Sequence, residues 1–430
     1  MTRAITFVVS LLAAFSVHVS AGWYFTASPF SYPVGTNPVS IAVADVNRDG
    51  WPDIIAAHSA DANLWVLTNK SDGTLAPAVS IKLAPCNKVM ADDVNGDGWP
   101  DLITLHAGGA FTVITNTGGS FTLASTTTGL GQGTHPKGFI AVDLNADGWK
   151  EIVTMAGGPV QTFTNDHHGT FSFSTNAYSG GFYPWIAVPG DFNNDGSIDV
   201  LVDHYESYPV FMTNNGQGTL LRGDELGEDT TALRAADMNH DGLIDCLLNE
   251  RLLTNNGVGI FILANTNIAG KGDLLLAVAD LDGDGWPEAL ARGDSGTTLK
   301  VRTNNHANVF ATAVKLPITS VDLDITDLDV IVADVNGDGS PDVVFSSKWA
   351  NTVNVFFQYQ QVPLSIQRNS NAITVSWPFT EPLTFLESAT NCATPPVTWI
   401  PRSPVTNAPL KRLELSTPAS QPMEFFRLLR

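Results

Sequence analysis

An all-β chain built from seven copies of one unit is what this sequence predicts, and three observations predict it. The first is a nonapeptide, DVNRDGWPD from Asp45, which returns as DVNGDGWPD from Asp93, DLNADGWKE from Asp143, DFNNDGSID from Asp191, DMNHDGLID from Asp237, DLDGDGWPE from Asp280 and DVNGDGSPD from Asp334. Its copies start 48, 50, 48, 46, 43 and 54 residues apart. The second is the flanks, which alternate or run as short β-rich stretches, as in SIAVAD before the first copy and DIIAAH after it. The third is another recurring phrase, seen in VLTNKSDGTL, VITNTGGSF, TFTNDHHGTF, MTNNGQGTL, LLTNNGVGIF and VRTNNHANVF. Its Asn and Gly residues supply the positive φ that tight hairpins require.

In chain order, the apolar run from Ile5 to Val19 follows Arg3 and ends in the small residues Val19-Ser20-Ala21. That is the shape of a signal peptide cleaved after Ala21. The run is shorter than the ~20 residues a membrane-spanning helix needs, so residues 1–21 are expected to be an export signal and the protein to be secreted or cell-surface associated. The first repeat then reads as four strands: Val39–Ala44, Asp53–His58, Leu64–Asn69 and Ala76–Leu83. Four antiparallel strands with their turns match the pitch of a β-propeller blade. Periodicity alone also fits a solenoid, but seven copies suit ring closure. The seventh repeat offers only about three strands before Tyr359, ending in TVNVFFQY. Residues 23–34 resemble an outer strand, so they are expected to complete the last blade and remove the open edges.

Each nonapeptide places oxygen donors at positions 1, 3, 5 and 9, with glycine at position 6. The candidate metal ligands are Asp45, Asn47, Asp49 and Asp53; Asp93, Asn95, Asp97 and Asp101; Asp143, Asn145, Asp147 and Glu151; Asp191, Asn193, Asp195 and Asp199; Asp237, Asn239, Asp241 and Asp245; Asp280, Asp282, Asp284 and Glu288; and Asp334, Asn336, Asp338 and Asp342. Such hard oxygens suit Ca²⁺, and up to seven ions are expected. An EF-hand would need glutamate at position 12, but Ala56, Thr104, Thr154, Val202, Leu248, Ala291 and Phe345 stand there. A metal-free Asx turn is the competing reading. Charge favours the metal: 22 of the 43 acidic residues lie in the loops, and the formal net charge is −21. Seven divalent ions would bring it to about −7. So acidic a surface makes nucleic acid an unsuitable partner.

Three cysteines leave at least one unpaired. Cys246 fills a position where other repeats carry Ile54, Leu102 or Val343, and reads as a small core residue. Cys86 and Cys392 are the pair left for a bridge.

The repeated phrases resemble the FG-GAP/VCBS repeats of bacterial secreted proteins and of the integrin α-subunit propeller, over residues 23–360. The resemblance implies a seven-bladed β-propeller over residues 22–360. Its calcium loops would join the first and second strands of each blade at the positions named above. The Phe-Gly and Gly-Ala-Pro flanks are absent, which points to the shorter bacterial form and away from integrin-like adhesion. Residues 362–430 contain no Asp, six basic and four acidic residues, and stretches such as ITVSW and FFRLL that read as strands of a small β-sandwich.

Opposite the calcium loops, the loops between strands two and three would form a rim. His58, His106 and His204 each fall five residues after the position-9 carboxylate, so they share one site in blades 1, 2 and 4. Asp203, Tyr205, Glu206, Glu250, Arg251, Arg292, Asp294, Lys348 and Trp349 would join them. That rim could bind an acidic sugar or, with the three histidines as catalytic groups, act on polysaccharide; polar strand ends facing water are the plainer reading. Trp51, Trp99, Trp149 and Trp286 share loop position 7, where they would stack on sugars or pack one blade on the next. No nucleophile motif, phosphate loop or cofactor fingerprint occurs in the chain. The sequence therefore reads as a monomeric, calcium-stabilised extracellular module that binds polysaccharide or protein, with a lyase-like enzyme as the alternative.

Overall fold

The structure is a computed structural model. It describes residues 7–8, 16–18, 23–26, 28–107, 109–127, 138–155, 159–174, 184–204, 207–227, 232–293, 298–307, 309–318 and 329–360, together with the C-terminal strands between 365 and 429. Strands and turns account for all of the regular structure among these residues, and no helix is long and apolar enough to cross a membrane. The chain divides into two units, Ala27–Phe357 and a second made of Met1–Thr26 with Gln358–Arg430.

The larger unit is a seven-bladed propeller of four-stranded antiparallel sheets. Blade 1 comprises Pro38–Ala44, Asp53–His58, Asn63–Leu67 and Val79–Lys82 from the inside outward, close to the sequence reading. Its second strand is buried at every residue, whereas the outer strand is largely exposed. A strand packed on both faces must be nearly continuous in apolar residues, which explains why DIIAAH does not alternate. The core accordingly lies between blades. One cluster joins Ile55 and Val66 of blade 1 to Leu102 and Ile114 of blade 2, and another joins Val153 of blade 3 to Val200 and Met212 of blade 4. Cys246 sits in the seam of blades 4 and 5 as a buried hydrophobe. Cys86 is a free, buried thiol, pushed up to about 11 by burial, and Cys392 lies outside the described residues.

Blade 7 has three strands of its own, Val330–Ala333, Asp342–Ser347 and Thr352–Phe356. Its fourth is Phe30–Pro33, with Tyr32 opposite Val353. The ring thus closes by an N-terminal strand, as expected, but only this part of the 23–34 segment takes part. Trp23–Phe25 pairs instead with Gln358–Gln360 in the second unit. That unit contains a five-stranded and a four-stranded sheet. Ser365–Asn369, Ala372–Pro378, Arg412–Pro418 and Val405–Asn407 form the first, edged by Ser16–His18. Phe385–Ala389, Phe425–Leu429 and Ile400–Arg402 form the second, edged by Phe7–Val8.

Candidate functional site

All seven nonapeptides are turns between the first and second strands of their blades. Positions 4 and 6 are left-handed throughout, for example φ 54° at Arg48 and 89° at Gly50. Glycine at position 6 is thereby required by conformation. The side chains at positions 1, 3 and 5 close the turn: Gly50 N donates to Asp45 Oδ2 at 2.8 Å, Asp49 N to Asn47 Oδ1 at 2.9 Å and Trp51 N to Asp49 Oδ1 at 2.9 Å. The same set recurs around Asp191 and Asp334.

Position 9 differs from the other three. Asp53 is fully buried; its Oδ2 accepts from Val46 N at 3.1 Å and its Oδ1 from Asn69 N at 2.7 Å. Asp101, Asp199 and Asp245 repeat this clasp between loop and third strand. Burial without a counter-charge, reinforced by the carboxylates at positions 5 and 1, raises Asp53, Asp101 and Asp245 to about 6 despite their hydrogen bonds. Glu288 rises to about 7, again chiefly from burial, with Asp282 adding repulsion. A cation beside these groups would favour their ionised form. In blade 6 the carboxylate oxygens of Asp280, Asp282 and Glu288 lie within 4.8 Å of one another, so that cluster could hold a metal ion.

Sequence reading assigned the Asn of the second phrase to the hairpin turn, and the structure adds a larger role. Asn116 Oδ1 accepts from Gly119 N at 2.9 Å within the hairpin, while Nδ2 reaches back to Val46 O in the loop of blade 1 at 2.7 Å. Asn69 makes the same bond to Val335 O of blade 7, Asn165 to Val94 O, Asn214 to Leu144 O, Asn255 to Phe192 O and Asn304 to Met238 O. Six of the seven loops are therefore stitched to the following blade through the carbonyl at position 2. Gln358 occupies the matching place after blade 7 and is buried. The repeat of TN itself was the signal for this role.

The four position-7 tryptophans pack across the same seams. Trp99 of blade 2 lies under the Arg48 guanidinium of blade 1, 4.6 Å away, and Trp286 of blade 6 stacks on His240 of blade 5 at 4.7 Å. Trp51 and Trp149 lie over Gly337 and Gly96, where an added Cβ would come within 2.7 and 2.2 Å of the rings. In every case the contacted residue is position 4 of the preceding loop. The interblade reading of these tryptophans holds.

The far rim needs correcting. His58, His106 and His204 do end the second strands of blades 1, 2 and 4, but they are 0, 8 and 2 % exposed. His106 is bonded to Thr112 Oγ1 at 2.9 Å and Pro85 O at 3.1 Å, and His58 packs edge-on to Trp65 at 6.4 Å. Burial lowers the pKa of His58 and His204 and keeps both neutral. The sequence reading placed these three groups in solvent, and the structure buries them. Asp203 and Arg292 are buried too, Glu250 and Arg251 are half-buried, and Trp349 is exposed beside Lys348. Tyr205, Glu206 and Asp294 lie outside the described residues.

Polar groups do gather at that end, on the inner strands. Asp329, just before the first strand of blade 7, accepts from Lys88 Nζ at 2.8 Å, Ser40 Oγ at 2.8 Å and Ile41 N at 3.0 Å through Oδ2. Those cationic and hydroxyl contacts hold its carboxyl below the usual range, against the effect of burial.

The chain carries FG-GAP-like repeats: the family model of that description matches residues 93–154, 143–202 and 280–345. No curated protein matches the sequence significantly. Among solved structures the chain is similar to an Agrocybe aegerita lectin described as recognising non-reducing terminal N-acetylglucosamine. That match has 19 % identity and a TM-score of 0.50, covering 69 % of this chain and 82 % of the lectin. It is also similar to BBS1N in complex with ARL6DN, with 10 % identity and a TM-score of 0.53 over 78 % of this chain and 96 % of that one. Saccharomyces cerevisiae Sqt1 matches at 12 % identity and a TM-score of 0.50, covering 76 % and 97 %. At these identities the likeness is one of fold.

Proposed function

We propose that this propeller of FG-GAP-like repeats is a calcium-bound, exported binding module whose ligand is an extracellular polysaccharide or protein. One observation carries the reading: seven oxygen-rich turns recur between first and second strands, six of them stitched to the next blade by an Asn amide, and in blade 6 three carboxylates converge. Cations there would relieve repulsion among buried carboxylates and fasten the ring, leaving other surfaces free for recognition. The repeat of the donor pattern extends the proposal to as many as seven Ca²⁺, the Asp280 loop having the most carboxylates. The apolar stretch at residues 5–19 supports export, into a compartment where weak calcium sites fill. The Agrocybe lectin, similar in fold, is described as recognising non-reducing terminal N-acetylglucosamine, which supports a glycan as ligand, and the burial of the three histidines favours binding over the lyase-like alternative.

A glycan array probed with purified protein in millimolar calcium tests the ligand class. Reproducible binding to a defined glycan family supports the reading. Binding to none, together with melting that ignores both EDTA and added calcium, would overturn it.

A further inference from the structure

Each inner strand ends at its metal loop, so the starts of these strands stand at the opposite mouth of the central channel. Five residues before the first loop aspartate, blade 7 carries Asp329, blade 1 Ser40 and blade 2 Lys88. In blades 3 to 6 the same register holds Gly138, Ile186, Ala232 and Leu275. At this register position the polar residues belong to blades 7, 1 and 2. Lys88 bonds Asp329 from two blades away, past blade 1, a reach that places both groups at the channel. Solvent touches them: their side chains are 31 and 20 % exposed.

A second cation approaches from the other side. Arg234, on the inner strand Leu233–Ala236 of blade 5, lays its guanidinium over blade 6, where Nε donates to Leu276 O at 2.8 Å. Nη1 donates to Leu233 O at 2.7 Å, and Nη2 to Leu276 O. Those bonds occupy three of the five N–H groups of an arginine. They aim the charge toward Asp329, with which it interacts electrostatically. Among the described residues at these strand starts, Lys88 and Arg234 are the cations that interact with Asp329. Trp185, one residue into the inner strand of blade 4, stands half-buried at the same end.

We propose that this mouth binds the carboxylate of a uronate unit in an acidic polysaccharide, between Lys88 and Arg234. The inference rests on the binding-module reading and names its substrate class. A planar carboxylate matches the remaining N–H groups of Arg234, and Lys88 supplies a mobile point charge. Asp329 holds Lys88 in place when no ligand is bound and shares it when one is. A pyranose next to the carboxylate would lie against the Trp185 ring, whose apolar face suits the C–H face of a sugar. A neutral glycan gains nothing from the two cations, so discrimination follows charge.

The test is calorimetric titration of trigalacturonate, and of its carboxyl-reduced neutral counterpart, into calcium-loaded protein. Wild type should bind the acid at least tenfold more tightly than the neutral sugar. Arg234→Gln should weaken the acid tenfold or more with little effect on the neutral sugar. Lys88→Met combined with Asp329→Asn removes the ion pair without stranding a charge and should act likewise, which keeps the test valid should one variant fold poorly. Unchanged affinity in either folded variant overturns the site. Binding of the neutral sugar alone, or of neither sugar, overturns the uronate assignment and leaves the binding-module reading standing, since that reading falls only if calcium has no effect on melting as well.

Discussion

Replacing Asn116 with Ala isolates one of the stitches that tie a nonapeptide loop to the next blade. The amide is fully buried and makes three side-chain bonds: Nδ2 to Val46 O at 2.7 Å, Nδ2 to Pro100 O at 3.1 Å, and Oδ1 from Gly119 N at 2.9 Å. Its main-chain bond to Asp101 Oδ1 survives the change. A buried hydrogen bond contributes about 1 kcal/mol net, and orphaned partners add to the loss, so the variant should be destabilised by about 3 kcal/mol. In a domain this large that is about 4 °C in melting temperature. Because Val46 follows the first ligand of the blade 1 loop, calcium affinity should fall at the Asp45 loop, one blade away from the mutation. Urea unfolding at saturating calcium reads the stability, and titration of calcium followed by NMR of loop amides reads the site. Asn116→Asp, which turns a carboxylate oxygen toward two carbonyls, should cost at least as much. A loss below about 1 kcal/mol, or a calcium effect confined to the Asp93 loop, would refute the interblade role.

Three further outcomes are expected. Excess EDTA should lower the melting temperature by many degrees, and Asp282→Asn should abolish any rank of the Asp280 loop as the tightest site, since it removes the fourth carboxylate; calorimetry showing equal affinities in wild type and variant would count against that ranking. Deleting residues 27–36 removes the outer strand of blade 7 and should yield aggregation or a much lower unfolding midpoint, whereas a soluble deletion as stable as wild type would contradict closure by Phe30–Pro33. His58 and His204 have native pKa values below their ordinary 6.5, so the unfolded chain takes up protons first. Stability present above pH 6.5 is then lost as the pH falls toward the native values, while the raised loop carboxylates act in the opposite sense. The difference between wild type and His58→Gln plus His204→Gln isolates the histidine part, and parallel pH profiles would disprove it.

The repeat determined what is local. Alternate oxygens with a left-handed residue at positions 4 and 6 specify the loop within nine residues, and short apolar runs on both sides specify its hairpin, so seven loops and their strands were legible without coordinates. The missing strand of the last repeat even pointed to ring closure, although only Phe30–Pro33 of the N-terminal segment closes it. Register likewise put His58, His106 and His204 at equivalent strand ends, but not in solvent. Whether a strand end is covered depends on contacts distant in sequence, such as Pro85 O on His106, and these carry no periodic signal. The Asn stitch joins residues about 70 apart, and the Lys88–Asp329 pair spans 241. Contacts of that kind exist only once the ring has closed, because closure fixes which loop faces which hairpin and which strand starts share the channel mouth. The chain wrote its turns into sequence; the sum of seven blade rotations decided which side chains meet.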